Sequence, residues 1–107
     1  GTATGANDSG EAEAVASVFG PNSVLVSSTK GMTGHLLGAA GAIEAVASVG
    51  AIDRGQLPAN VGFDEPDEHT KLVNLVNDSN KITAPEYVLS ANYGFGGHNA
   101  AVVFKKW

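Results

Sequence analysis

The chain has 107 residues, about the length of one domain. With 43% hydrophobic and 16% charged residues it is neither a disordered nor a collagen-like polypeptide. Eleven acidic against six basic residues leave a net charge of −5, which argues against a nucleic-acid or anionic-membrane binder, since both need a basic face. The absence of cysteine excludes a disulfide scaffold, a thiolate zinc site and a cysteine nucleophile within this chain, and it fits a cytoplasmic setting.

The opening Gly1-Thr2-Ala3-Thr4-Gly5 lacks the initiator Met, basic n-region and apolar h-region of a secretory signal. It reads as a cut inside a longer polypeptide or as a processed end. Thr2 to Ser9 is small and polar, the composition of a loop. Asp8 and Glu11 have the spacing of a capping box, and Ala12, Val15, Ala16 and Phe19 follow at helical spacing before Gly20-Pro21. The pattern predicts a short amphipathic helix over 9–19, and then a short buried strand at Val24-Leu25-Val26.

From Thr33 to Ile52 the chain contains six Ala, four Gly and a single full charge, Glu44. Its larger apolar residues surround the whole helical circumference, which predicts one helix buried on all sides. Gly34, Gly38 and Gly41 would let neighbouring backbones approach it closely, offsetting the roughly 1 kcal/mol that a helical glycine costs. A membrane span is disfavoured, because Glu44 and Ser48 sit in the middle of a segment barely long enough to cross. A domain of this size buries only about 60–70% of its surface, so such a helix points to a chain that is part of something larger.

Pro58 begins an irregular stretch. Asp64-Glu65-Pro66-Asp67-Glu68-His69 reads as a solvated acidic turn rather than a metal site, for which it has no ligand spacing. Leu72 to Val76 fits a short edge strand. Tyr87–Asn92 and Ala100–Phe104 fit two further strands, with the glycine-rich link between them predicting an antiparallel pair. The class is α/β or layered α+β, with helices covering a sheet.

Gly94-Phe95-Gly96-Gly97-His98-Asn99 fails as a dinucleotide fingerprint, having no third Gly in register and a strand where a helix should follow. Gly34 to Gly41 fails as a phosphate loop. The sequons at Asn7 and Asn77 carry no weight without a secretion signal. A Gly-Phe-Gly-Gly turn can aim backbone N–H groups at a developing oxyanion, although taken alone it reads first as a hairpin turn. Taken alone, His35 reads first as a structural histidine. At the mouth of a helix, with Lys30 in the preceding loop, it could instead polarise a carbonyl or hold an anion. Glu44 needs a partner in an apolar segment. Lys30 is the natural one if the loop doubles back; along a straight helix they would stand roughly 20 Å apart.

Three stretches taken together, Gly1–Gly5, Ser28-Thr29-Lys30-Gly31-Met32-Thr33-Gly34-His35-Leu36-Leu37-Gly38-Ala39-Ala40-Gly41 and Asn92-Tyr93-Gly94-Phe95-Gly96-Gly97, closely resemble the C-terminal segment of β-ketoacyl-acyl carrier protein synthases, the type II elongating condensing enzymes. The resemblance runs the length of the chain. It implies an α/β fold, the C-terminal part of a thiolase-like layered α-β-α-β-α architecture, with residues 1–107 not forming a complete independent domain. It further implies a homodimeric enzyme of fatty-acid synthesis acting on acyl- and malonyl-loaded acyl carrier protein, without cofactor, metal, nucleic acid or membrane. The implied reaction is a decarboxylative Claisen condensation onto an acyl thioester held on cysteine.

By the same resemblance, His35 is the catalytic His that stabilises the enolate, Lys30 the catalytic-site Lys, and Glu44 its charge partner. Phe95 is the gate and, through its N–H, an arm of the oxyanion hole; Gly94, Gly96 and Gly97 form the hinge-like loop. Thr2 and Thr4 bind the pantetheine arm. Asp8 and Glu11 match acids near the site without a chemical step. His98 and Tyr93 stand where the family commonly has Thr and Phe. The nucleophilic Cys and the first catalytic His lie outside the chain, so the segment alone is expected to be inactive. Two other readings fit the same pattern: a ketosynthase domain fragment of a polyketide synthase, and a non-catalytic chain-length or binding subunit. Lys105-Lys106-Trp107, directly after the last strand, favours a stand-alone enzyme over a modular one.

Overall fold

The computed structural model describes residues 1–78 and 80–107. The chain divides into two compact units, Gly1–His35 with Pro58–Lys81, and Leu36–Leu57 with Ile82–Trp107.

In the first unit, helix α1 spans Gly5–Phe19. It begins earlier than the capping-box spacing predicts, because Thr4 takes the N-cap position with extended backbone angles and its hydroxyl accepts the Asn7 N–H at 3.4 Å. Asp8 therefore lies in the first turn, where a carboxylate suits the positive end of the helix dipole. The helix stops as expected at Gly20, whose φ of 90° suits a residue without a β-carbon and whose N–H returns to the Ala16 carbonyl at 2.9 Å. Ala12 is buried, whereas Phe19 is 45% exposed, so the expected apolar stripe is covered only along part of its length.

Strand β1 (Leu25–Val26) pairs in parallel with β2 (Asn74–Leu75), placing Leu25 opposite Asn74 and Val26 opposite Leu75. Both strands are shorter than their apolar runs. Val73 and Val76 beside β2 are buried, and α1 packs on the 3-10 turn Thr70–Leu72 that precedes it.

The helix expected over 33–52 is not one element. A four-residue helix α2 (Lys30–Thr33) closes the first unit's stretch, ended by Gly34 at φ 72°. Leu37 has φ 51° and opens a 3-10 turn, Leu37–Ala39, before α3 runs from Ala40 to Arg54. Apolar periodicity cannot register a break made by two backbone angles of the left-handed region. Gly34, read as a packing glycine, instead ends a helix.

In the second unit, α3 is capped by Gly55 in the left-handed conformation and packs against β3 (Tyr87–Tyr93). Strand β4 (Asn99–Lys105) pairs antiparallel with β3, from Tyr87 opposite Lys105 to Tyr93 opposite Asn99. This is the hairpin that the two apolar runs predict, with the Lys105 ammonium 5.5 Å from the Tyr87 ring centroid. Burial of α3 on all sides is not what the chain provides. Ala40, Ser48 and Ala51 are buried, but Val46 is 71% and Val49 53% exposed, because a two-stranded sheet covers one face of a helix and no more.

Among the described residues, no helix is long and apolar enough to cross a membrane. No group of three or more His, Asp or Glu among them could hold a metal ion. The acidic loop is organised by Asp67, whose Oδ1 accepts the N–H groups of His69 at 3.0 Å and Thr70 at 2.8 Å and the Thr70 hydroxyl at 3.0 Å. His69 Nδ1 also lies 3.4 Å from Glu13 Oε1 on α1. Of the second sequon, Ser79 lies outside the described residues.

Candidate functional site

In the first unit the residues before α1 fold back on its opening turns. The Thr2 N–H donates to Asn7 Oδ1 and to Asp8 Oδ1, both at 3.1 Å, and the Thr2 and Thr4 hydroxyls are hydrogen-bonded at 2.9 Å. The Gly1 nitrogen lies 2.8 Å from Asn7 Oδ1 and 3.0 Å from Glu11 Oε2. Asn7, Asp8 and Glu11 thus hold the threonine-bearing loop in place, a positional part that sequence reasoning left unassigned for the two acids and missed for Asn7.

This loop passes beside Lys30. A β-carbon on Gly1 would collide with the Ser28 hydroxyl and stand 3.9 Å from Lys30 Cδ. Lys30 is half-buried at the first position of α2, its N–H donating to Ser28 Oγ at 3.3 Å. Gly31 follows because no larger residue fits: a β-carbon there would run into the Val61 carbonyl. The Gly34 N–H closes α2 on the Lys30 carbonyl at 2.9 Å, and His35, exposed, comes directly after. One glycine separates the histidine from the end of a helix that starts with the lysine.

A residue that the sequence did not single out organises this corner. Asn60 accepts the Ser28 N–H at 2.8 Å and donates from Nδ2 to the carbonyls of Val26 at 3.0 Å and Val76 at 3.1 Å. It clamps β1, β2 and the start of the Lys30 segment together. The signal that could have found it is a polar residue between apolar segments just after Pro58, but such residues are common and the pattern names no partner.

In the second unit, Glu44 is half-buried in α3, and its Oε2 accepts a hydrogen bond from Asn92 Nδ2 at 2.7 Å. Two residues beyond Asn92 comes the turn Gly94–Gly97. The Gly94 N–H donates to the His98 carbonyl at 3.0 Å, so close that a β-carbon on Gly94 would strike that oxygen. Gly96 and Gly97 have φ of 72° and 80°. Phe95 between these glycines is 91% exposed. The imidazole of His98 folds beneath the turn, with Cδ2 3.6 Å from where a Gly96 β-carbon would be.

The chemistry-bearing residues therefore form two sets. Thr2, Thr4, Lys30 and His35 belong to the first unit, and Glu44, Gly94, Phe95, Gly96 and Gly97 to the second. The first contains a cation, an imidazole and two hydroxyls. The second joins a carboxylate to a glycine-rich turn with an exposed aromatic side chain.

Comparison with known families places a helix–sheet chain that carries these two sets of residues. The profile described as the β-ketoacyl synthase C-terminal domain matches residues 1–64. The chain belongs to that family, which has the thiolase-like fold.

Among curated relatives, a 3-oxoacyl-[acyl-carrier-protein] synthase 2 of Synechocystis is 42% identical over 100% of this chain and 26% of its own length. The chloroplastic 3-oxoacyl-[acyl-carrier-protein] synthase II of Arabidopsis thaliana is 45% identical over 96% of this chain and 19% of its own. A 3-oxoacyl-[acyl-carrier-protein] synthase 1 of Escherichia coli is 39% identical over 99% of this chain and 26% of its own. The chain spans about a quarter or less of the length of these relatives.

Proposed function

We propose that this chain is the C-terminal segment of a 3-oxoacyl-acyl carrier protein synthase that extends fatty-acyl chains by two carbons. The match of residues 1–64 to the synthase profile carries the reading, because it includes Thr2, Thr4, Lys30 and His35 in order. The acyl group is held as a thioester on a cysteine outside this chain. Malonyl-acyl carrier protein loses carbon dioxide as its C–C bond breaks, and the electron pair becomes an enolate. That enolate attacks the thioester carbonyl; the new C–C bond forms as the thiolate leaves.

In this scheme His35 stabilises the enolate oxygen. A positioned hydrogen-bond donor at developing negative charge is an effective way to lower such a barrier. Lys30 supplies positive charge for the same step, and Glu44 is a supporting carboxylate. The Phe95 N–H serves the oxyanion of the thioester carbonyl, and its side chain gates the acyl entry, hinged on Gly94, Gly96 and Gly97. Thr2 and Thr4 receive the pantetheine arm of the carrier protein. The enzyme works as a homodimer in the cytoplasm with no cofactor, and residues 1–107 alone are inactive. The exposed Val46 and Val49 of α3 support the view that this segment is not a complete domain.

The test is condensation in vitro with the intact protein, acyl-acyl carrier protein and malonyl-acyl carrier protein, following carbon dioxide release and the 3-oxoacyl product together. Replacing His35 with Ala should lower decarboxylation at least about 100-fold, the lower end of what one acid–base or oxyanion group contributes. Absence of both products with the unsubstituted protein would exclude this function.

A further inference from the structure

Beyond Asn92 the backbone changes character. Residues 87–93 pair regularly with 99–105, whereas Gly96 and Gly97 take φ of 72° and 80° and Phe95 is 91% exposed. A tip of that kind needs a fixed root, because a one-residue slip in a hairpin turns every side chain to the opposite face. Val88, Ser90 and Asn92 share the half-buried face of β3, and the Asn92 carboxamide reaches Glu44 Oε2 at 2.7 Å from that face. Gly41, one turn before Glu44 on α3, lies beside it: a β-carbon there would stand in ordinary contact, 3.8 Å from Asn92 Nδ2.

We propose that Asn92 is a positioning residue: its hydrogen bond to the Glu44 carboxylate anchors the end of β3 to α3, and fixes the register from which the Gly94–Gly97 turn presents Phe95. The proposal rests on the reading of that turn as part of the synthase site. A hydrogen bond to a carboxylate is worth more than one between neutral groups, which suits a contact that helps hold the root of a glycine-rich turn. Asn92 acts through Glu44 and the turn, with no contact to substrate required.

The experiment measures hydrogen–deuterium exchange at the Gly94 and Gly97 amides of the intact protein, whose N–H groups are bonded to the His98 and Gly94 carbonyls. Asn92→Ala should speed exchange there about 10-fold or more, the loss expected for a charge-assisted bond, and leave α1 unchanged. Asn92→Ser, too short to reach Glu44, gives the same reading should the alanine variant fail to fold. The reciprocal pair Asn92→Asp with Glu44→Gln rebuilds an amide–carboxylate bond and should return exchange to within about twofold of the parent.

In condensation assays the single variants should lower kcat about 10-fold with KM for malonyl-acyl carrier protein within about twofold, since positioning and not binding is lost. Unchanged exchange in both single variants, or no recovery in the reciprocal pair, overturns the proposal. A parent protein that does not condense would overturn the proposed function instead, and the exchange result would still decide the role of Asn92.

Discussion

Ser28 donates its backbone N–H to the Asn60 carboxamide oxygen at 2.8 Å, two residues before Lys30. The same carboxamide donates to the carbonyls of Val26 and Val76, so one side chain joins both strands of the parallel pair to the segment that carries the lysine. Replacing Asn60 with Ala removes three side-chain bonds and leaves two strand-end carbonyls and an N–H without this partner. The expected cost is about 2–4 kcal/mol, read from the denaturant midpoint of the intact protein. Asn60→Asp keeps the acceptor for Ser28 but loses both donations, and should be destabilised as well.

Gly31 offers a second test of the same corner. Any side chain there meets the Val61 carbonyl, a backbone atom that cannot swing aside as a side chain can. Gly31→Ala is expected to cost about 1–3 kcal/mol by overpacking and to displace Lys30. A thermal-shift measurement reads the first effect, and a fall in kcat larger than that of a remote variant of equal stability reads the second. Wild-type melting in Gly31→Ala would exclude this close approach.

The start of α1 predicts an asymmetry between two conservative changes. Thr4→Ala removes the hydroxyl that receives the Asn7 N–H and should cost about 0.5–1 kcal/mol, the lower part of the N-cap range, since that bond is 3.4 Å long and exposed. Thr4→Ser should be neutral. Amide exchange in the first turn of α1 distinguishes them, and equal exchange in the two variants would mean that Asp8 or Asn7 caps the helix instead.

Asp67 gives the pH prediction. The Thr70 N–H is the largest cause lowering its carboxyl below the usual aspartate value; the Thr70 hydroxyl, the His69 N–H and the His69 charge add to it, and partial desolvation opposes them. A depressed folded-state value means that stabilisation of the 70–72 turn is complete above the ordinary aspartate range. It is lost as pH falls through the lower, folded value. The Thr70 amide should therefore exchange faster in acid, after correction for intrinsic rates. Asp67→Asn should remove that dependence, and a variant that keeps the full acid response would place its origin elsewhere.

Much of the local structure was legible in the residues. Gly20-Pro21 ends α1 where expected because neither residue continues a helix well. The β3–β4 hairpin follows from two apolar runs around a glycine-rich link, and the Ser28–Gly41 and Asn92–Gly97 motifs with the opening Gly1–Gly5 pointed to the family that the profile match then established. Less legible was the stretch from Thr33 to Ile52. Its composition suits a continuous helix, yet the backbone turns at Gly34 and Leu37 before α3 begins at Ala40. Leucine at φ 51° is a conformation that no propensity favours, so residue type gives no sign of it.

What the sequence determined by itself is whatever depends on near neighbours: helix stops, strand alternation, turn chemistry and the spacing of the motif residues. Those are set by steric limits and capping bonds acting over a few residues. The tertiary structure alone decided that Asn60 would join Val26, Ser28 and Val76, and that Asn92 would reach Glu44 across 48 positions of chain. A carboxamide is equally able to bond water, a loop or a distant carbonyl. Only when folding removes the water and brings β1 beside β2 and α3 against β3 does one partner become better than the rest.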